Sequence, residues 1–220
     1  MANSPEMKTG LLRLSYARDL FTARAIDDSR PDVKKFGCTL IGRKSDTATR
    51  QALEKLCLDT IVAEWGPKGV ERLKNKTIKT PFFDGEGPEA RYKGGPNVGD
   101  LHPGMGPDVW FIRVSANPDR PPAIRWKNPN LQETEKYPDG VYSGCWGKAV
   151  VNAFTTDHPK GGQRVSLGIS MFQKLQEGEL LGGAGGGPVD AEKYYETVAD
   201  EGPAPESTKQ GAGAASLFSD

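Results

Sequence analysis

Residues 142–154, YSGCWGKAVVNAF, decide the fold, because written out as a strand they have two chemically opposite faces. Ser143, Cys145, Gly147, Ala149, Val151 and Ala153 are small and mostly apolar, while Tyr142, Trp146, Lys148, Asn152 and Phe154 bring rings, a cation and an amide. Side chains alternate across a strand, so the two sets fall on opposite sides of a sheet. The small face packs closely onto a core. The other is costly to bury and fits a flat, anionic ligand, since rings stack on bases and lysine meets phosphate in sequence-tolerant single-strand binders. An ordinary half-buried strand with its rings beneath a loop would show the same pattern, because aromatic residues favour strands generally.

Working outward, residues 109–116 (VWFIRVSA) read as a strand with Trp110, Ile112 and Val114 opposed to Phe111, Arg113 and Ser115. Residues 35–43 read as another, in which Phe36, Cys38 and Leu40 alternate with Lys35, Thr39 and Arg43. A first strand over 9–21 puts Leu12, Leu14, Tyr16 and Leu20 on one face, and a polar connection with Asp27, Asp28, Ser29 and Arg30 follows. Between these strands and 109–116 lies a helix. Ser45 or Asp46 caps it, Leu53, Leu56, Cys57, Ile61 and Trp65 recur at helical spacing as a core-facing seam, and Gly66-Pro67 supplies the stop.

Residues 70–106 are rich in Gly, Pro and charge and read as long loops with room for one short strand. Lys74, Lys76, Lys79, Arg91 and Lys93 are interleaved there with Phe82, Phe83 and Tyr92, as on nucleic-acid surfaces, although a solvated loop looks similar. A short strand at 123–127 carries Arg125, Trp126 and Lys127; a last one over 164–170 alternates Val165, Leu167 and Ile169 with Arg164, Ser166 and Gly168; a helical turn at 170–175 closes the body. About six strands with one inserted helix and no strand–helix alternation predict an antiparallel barrel or sandwich.

The zero net charge of the 220 residues hides an asymmetry. From Gln176 onward nine acids face two lysines, a net of −7, and the remainder carries 27 basic against 20 acidic residues, a net of +7. A basic body implies a polyanionic partner, and an acidic end can compete for the same surface or serve only solubility. Cys38, Cys57 and Cys145 are widely spaced with no CxxC pair, which fits buried, reduced thiols in a cytosolic setting. No apolar leader or eighteen-residue apolar run occurs, so neither secretion nor membrane insertion is expected.

Chemistry is hard to place. His102 and His158 sit in Gly/Pro turns without metal-ligand spacing, and no phosphate loop, dinucleotide fingerprint or nucleophile elbow is present. Asp84, Glu86 and Glu89 cluster in a glycine-rich loop that reads as a solvated turn rather than a cation site. No metal, cofactor or enzymatic activity is expected.

The segments KFGCTLIGRKSD, KTPFFDGE, YSGCWGKAVVNAF and RVSLGISMFQKLQEGELLGG, in that order and spacing from Lys35 to Gly183, resemble a family of tailed-phage single-stranded DNA-binding proteins, long known only as a domain of unknown function. The resemblance implies a mainly β OB-fold, a five-stranded Greek-key barrel with an inserted helix, a groove lined by rings and cations, an acidic C-terminal tail and no catalysis. The family's aromatic after the strand cysteine and its basic residue two further on fall on Trp146 and Lys148. Two departures stand out: a loop at 85–106 unusually rich in Gly and Pro, and an end in which Phe218 is followed by Ser219 and Asp220.

The expectation is therefore an OB-fold single-stranded DNA-binding domain over 1–181 and a disordered Gly-rich linker with an acidic tail over 182–220. It would coat replication and recombination intermediates as a phage protein in the bacterial host cytoplasm, its tail competing for the groove and recruiting replication proteins. Tyr142, Trp146, Trp126 and Phe154 are the expected stacking rings, and Lys35, Arg43, Arg113, Arg125 and Lys148 the phosphate contacts. Asn152, Phe111, Lys79, Tyr92 and Lys93 complete the surface. An OB-fold RNA-binding or protein-interaction module is the alternative, and a homodimer is left open.

Overall fold

Five strands close into a ring in the computed structural model, which describes residues 1–25, 31–126, 140–158 and 161–182. They are β1 (Leu12–Ser15), β2 (Lys34–Arg43), β3 (Val109–Ala116), β4 (Trp146–His158) and β5 (Gly162–Gln176). β1 pairs antiparallel with β2, β2 with β3, and β3 runs parallel to β5. β5 returns antiparallel to β4, and β4 pairs with β1. The ring is the five-stranded barrel of an OB-fold, and closure leaves its strands no open edge.

β4 shows why the sequence folds this way. Its burial alternates without interruption from Gly147 to Thr155, the small residues inside and Trp146, Lys148, Val150, Asn152 and Phe154 outside. Small size is required on the inner face because Phe172 lies directly across from Ala149. A Cβ on Gly147 would stand 2.6 Å from the Phe172 ring and 2.3 Å from the Gln173 carbonyl oxygen. Leu12, Leu14, Leu40, Ile112, Val114 and Leu167 fill the rest of the interior.

The helix α1 (Thr47–Lys74) is inserted between β2 and β3. Asp46 caps it, its carboxylate accepting from the Thr49 amide at 3.1 Å and hydroxyl at 2.6 Å, and Leu53, Cys57 and Ile61 face the core. Gly66, at φ 60° and ψ −150°, interrupts the helix as its sequence suggests, yet the chain re-enters helix where a loop was expected. Proline is well placed to open a helix because its missing amide hydrogen has no partner in the first turn. Gly69 then packs against Ile61, a contact that a Cβ would close to 2.9 Å.

Two other expectations change. The first strand stops at Ser15: Tyr16 turns the chain at φ 59° and Arg18–Phe21 forms one helical turn, so Tyr16 is 43% exposed instead of joining Leu12 and Leu14 inside. The helical turn read at 170–175 is strand, because β5 runs on to Gln176. A bulge there opposes Val150 to Met171 but Val151 to Ile169, leaving Ile169 and Phe172 both inside three residues apart, a spacing that imitates a helix.

The short strands Phe82–Asp84 and Ala123–Arg125 pair with β3 and β5. The expected strand at 123–127 is thus described to Trp126, and Lys127 lies outside the described residues, as do the connection 26–30 and, beyond Gly182, the expected linker and tail. Among the described residues no helix is long and apolar enough to cross a membrane.

Candidate nucleic-acid interface

The register of the barrel places four outward residues in one row across it. Gly37 of β2 is opposite Ser115 of β3, Ser115 opposite Gly168 of β5, and Gly168 opposite Asn152 of β4. With strands about 4.8 Å apart, the row is about 14 Å long and perpendicular to the strands. Two of its positions have no side chain, so the floor is low; a Cβ at Gly168 would stand 2.4 Å from the Asn152 amide oxygen and one at Gly37 3.0 Å from the Val114 carbonyl. The neighbouring rung carries Thr39 and Arg113, then Ser166 and Phe154.

Two concavities of about 610 and 570 Å³ cover this floor and share Lys35, Ser115, Phe154 and Thr156, so they form one groove with the Phe154 ring at its centre. Its wider part is walled by Tyr16, Arg24, His102, Met105, Arg113 and Arg164. The other part is walled by the N-terminal segment, where Asn3 bridges Phe154, and by Arg120.

Cations dominate the wider part. Arg24 pairs with Asp19 at 2.6 Å, and Arg113 with Glu89 at 3.2 Å. Lys35 and Arg164 have no ion pair among the described residues, and the Arg164 Nε is buried without a hydrogen-bond partner. Glu89 sits below the usual carboxylate range, chiefly through its hydrogen bond from Lys93 and also through Arg113. On the wall, the Tyr16 hydroxyl and His102 Nδ1 share a hydrogen bond of 2.9 Å, and the His102 and Tyr92 ring centroids are 3.9 Å apart. Desolvation, then the nearby Arg113 charge, lowers the His102 pKa, which favours the neutral ring.

Residues 5–203 match the family of the ssDNA-binding protein of Enterobacter phage Enc34. The chain belongs to that family. The Enc34 protein in complex with ssDNA is 18% identical, with a TM-score of 0.54 over 80% of this chain and 89% of that one. The Enc34 protein in a second structure is 19% identical, with a TM-score of 0.52 over 87% and 90%. The single-stranded DNA-binding protein gp2.5 of bacteriophage T7 shares 12% identity, with a TM-score of 0.51 over 92% and 100%. These similarities are those of fold. No curated protein matches the chain.

In this member of the Enc34 family, Lys35, Arg113, Asn152 and Phe154 come together in the groove as the alternation of their strands suggests. Tyr92 and Lys93 lie on the loop that walls it, and exposed Lys79 is bridged through its main chain to Arg164 at its edge. Trp146, with the Arg43 guanidinium 4.8 Å from its ring centroid, is at the other end of β4. Eight residues of strand, about 26 Å, separate it from Phe154. Lys148 and Arg125 flank Gln173 on that far part of the sheet.

Two of the expected rings, Phe111 and Tyr142, are buried away from a base, and a third, Trp126, stands outside the groove. Phe111 does point outward with Arg113, but loop 85–106 and Leu181 cover it to 1% exposure. Tyr142 precedes β4 instead of belonging to it, because Gly144 at φ 119° turns the chain, and the alternation does not extend back across that turn. It is 7% exposed, its hydroxyl donates to Glu177 at 2.6 Å, and burial together with that carboxylate pushes its pKa up to about 12. Trp126 is half-buried, packing partly on the core with the Lys174 ammonium 3.7 Å from its ring centroid. Lys174 itself is buried, donating to the Gly140 carbonyl at 2.7 Å and pairing with Glu177 at 2.7 Å, so Tyr142 and Trp126 flank a buried lysine.

Tyr16, His102, Arg164 and Arg24 are groove residues that the sequence does not mark as such. The period of the first strand puts Tyr16 in the core, and His102 reads as a turn residue. Arg164 did stand on the polar side of its strand, which was the available signal. Arg24 lies in a two-residue strand too short to carry a period.

Proposed function

We propose that this chain binds single-stranded DNA without regard to sequence, along the groove that crosses the outside of β2, β3, β5 and β4. One observation carries the proposal: a floor of Gly37, Ser115 and Gly168 with a ring at its centre and cations on both sides, in a chain of the Enc34 family. The low floor admits the sugar and base planes, and Phe154 stacks a base, which is worth about 1–3 kcal/mol in systems of this kind. Lys35 and Arg164 meet phosphates directly, and Arg113 and Arg24 do so on leaving Glu89 and Asp19. Tyr16 stacks at the mouth. A strand long enough to leave the groove reaches the patch of Trp146, Arg43, Lys148 and Arg125 as a second, weaker contact.

The protein acts in the host cytoplasm on replication and recombination intermediates, as a binder with no catalytic role. Its acid-rich end competes for the groove when DNA is absent and recruits replication proteins when DNA is bound. Titration of labelled oligo-dT and a matching duplex at two salt concentrations tests the binding: single-strand preference that falls steeply with salt supports it, and equal or salt-independent binding overturns it. Deleting everything after Gly182 should raise affinity at low salt; an unchanged affinity removes the competition.

A further inference from the structure

We infer that Glu89 is a built-in stand-in for a DNA phosphate, occupying Arg113 and Lys93 until a strand enters and thereby setting the affinity and salt dependence of the groove. The inference rests on the single-strand reading above. Glu89 lies on the one-turn helix Pro88–Ala90, in the loop that walls the groove, and lines the groove beside Arg113. Its two carboxylate oxygens serve different cations: Oε1 accepts from Lys93 Nζ at 2.7 Å and Oε2 from Arg113 Nη1 at 3.2 Å. A phosphodiester likewise offers two free oxygens on a single negative charge, so one can replace the other with both cations left in place.

The exchange is an easy one. The side chains of Lys93 and Arg113 are 66% and 51% exposed, and ion pairs open to water to this degree contribute little to stability. Arg113 keeps its place during the exchange because its Nη2 also donates to the Glu89 main-chain carbonyl at 2.9 Å. The guanidinium is therefore positioned by backbone and neutralised by side chain, two functions that a substitution can separate. Asp19 on Arg24 repeats the arrangement, whereas Lys35 and Arg164 have no ion pair among the described residues. The groove thus holds cations of two kinds, resident and gated.

Glu89→Gln keeps the side-chain shape and the main-chain anchor and removes only the charge. Glu86→Gln is the control, since Glu86 is an exposed acid of the same loop with no cation partner among the described residues. Both full-length variants and the wild type are titrated with labelled oligo-dT across a salt series. Glu89→Gln should bind about three- to tenfold tighter at low salt, with a log–log salt slope steeper by about 0.7 for each cation released. The advantage should shrink as salt rises, and Glu86→Gln should follow the wild type. A Glu89→Gln protein that binds no tighter than Glu86→Gln, or binds more weakly with a shallower slope, shows Glu89 to be a loop anchor and overturns the inference alone. A wild type that does not bind oligo-dT overturns the single-strand reading and this inference with it.

Discussion

The outer face of β2 and β3 has two halves with opposite fates. At Gly37, Thr39, Arg113 and Ser115 it is the floor and rim of the groove, and two residues further along each strand Ile41 and Phe111 are 2% and 1% exposed. Both halves obey the same alternation. The difference comes from what lies above: Ala90, Leu101 and Met105 of loop 85–106, together with Leu181 from the segment after β5, form a second small core on Ile41 and Phe111. Gly104, at φ 84°, lets the loop close onto Leu181, because a Cβ there would stand 2.8 Å from the leucine methyl. The covered half thus builds the wall of the open half, and the boundary between covered and open surface falls between Phe111 and Arg113.

The sharpest way to break this comparison is to treat the two halves alike. Phe111→Ala removes a buried ring from the covered half and should destabilise the protein by about 3–5 kcal/mol in urea unfolding, the largest effect foreseen here. Phe154→Ala on the open side should leave unfolding nearly unchanged while costing about 1–3 kcal/mol of oligo-dT affinity. If the two variants show similar losses of stability, the groove is not an open surface. Arg164→Ala should make the log–log salt slope shallower by about 0.7, one phosphate contact on a single strand, with a modest loss of affinity at low salt.

Thiol chemistry tests the main barrel core, where all three cysteines lie. Burial raises the pKa of Cys38, pushes that of Cys57 to about 12 and that of Cys145 to about 11. The thiolate is the reactive form, so a raised pKa leaves these groups protonated and inert near neutrality. Alkylation of the native protein at pH 8 should be negligible and should become rapid in denaturant. Fast labelling of any of the three in the native state would place that cysteine outside the core.

Much of this was legible in the residues. The alternation of β4 and β3 gave the inner and outer faces, the cap at Asp46 and the break at Gly66 marked the helix, and Lys35, Arg113, Asn152 and Phe154 were assigned to the face that forms the groove. Alternation states which side a residue faces and is silent on what covers that side, which is why Phe111 read as a site residue. It is equally silent where the chain leaves the strand: Gly144 and Tyr16, both at positive φ, mark the two places where a face assignment was carried too far, to Tyr142 and to the Tyr16 ring. The bulge at Ser170 defeated the period itself. The burial of Lys174 had no signal, since a lysine on the inner face of a strand is recognisable only once its carbonyl, carboxylate and ring partners from distant segments are in place.

The central claim is that the groove, not the far end of β4, holds the strand. Fluorescence anisotropy of a labelled oligo-dT with the wild type, Phe154→Ala and Trp146→Ala tests it most directly, because the two rings share one strand face about 26 Å apart. The account predicts at least a fivefold loss of affinity for Phe154→Ala and less than about a twofold loss for Trp146→Ala. Loss of binding in Trp146→Ala with Phe154→Ala unaffected would contradict it and move the DNA to the patch of Arg43 and Lys148.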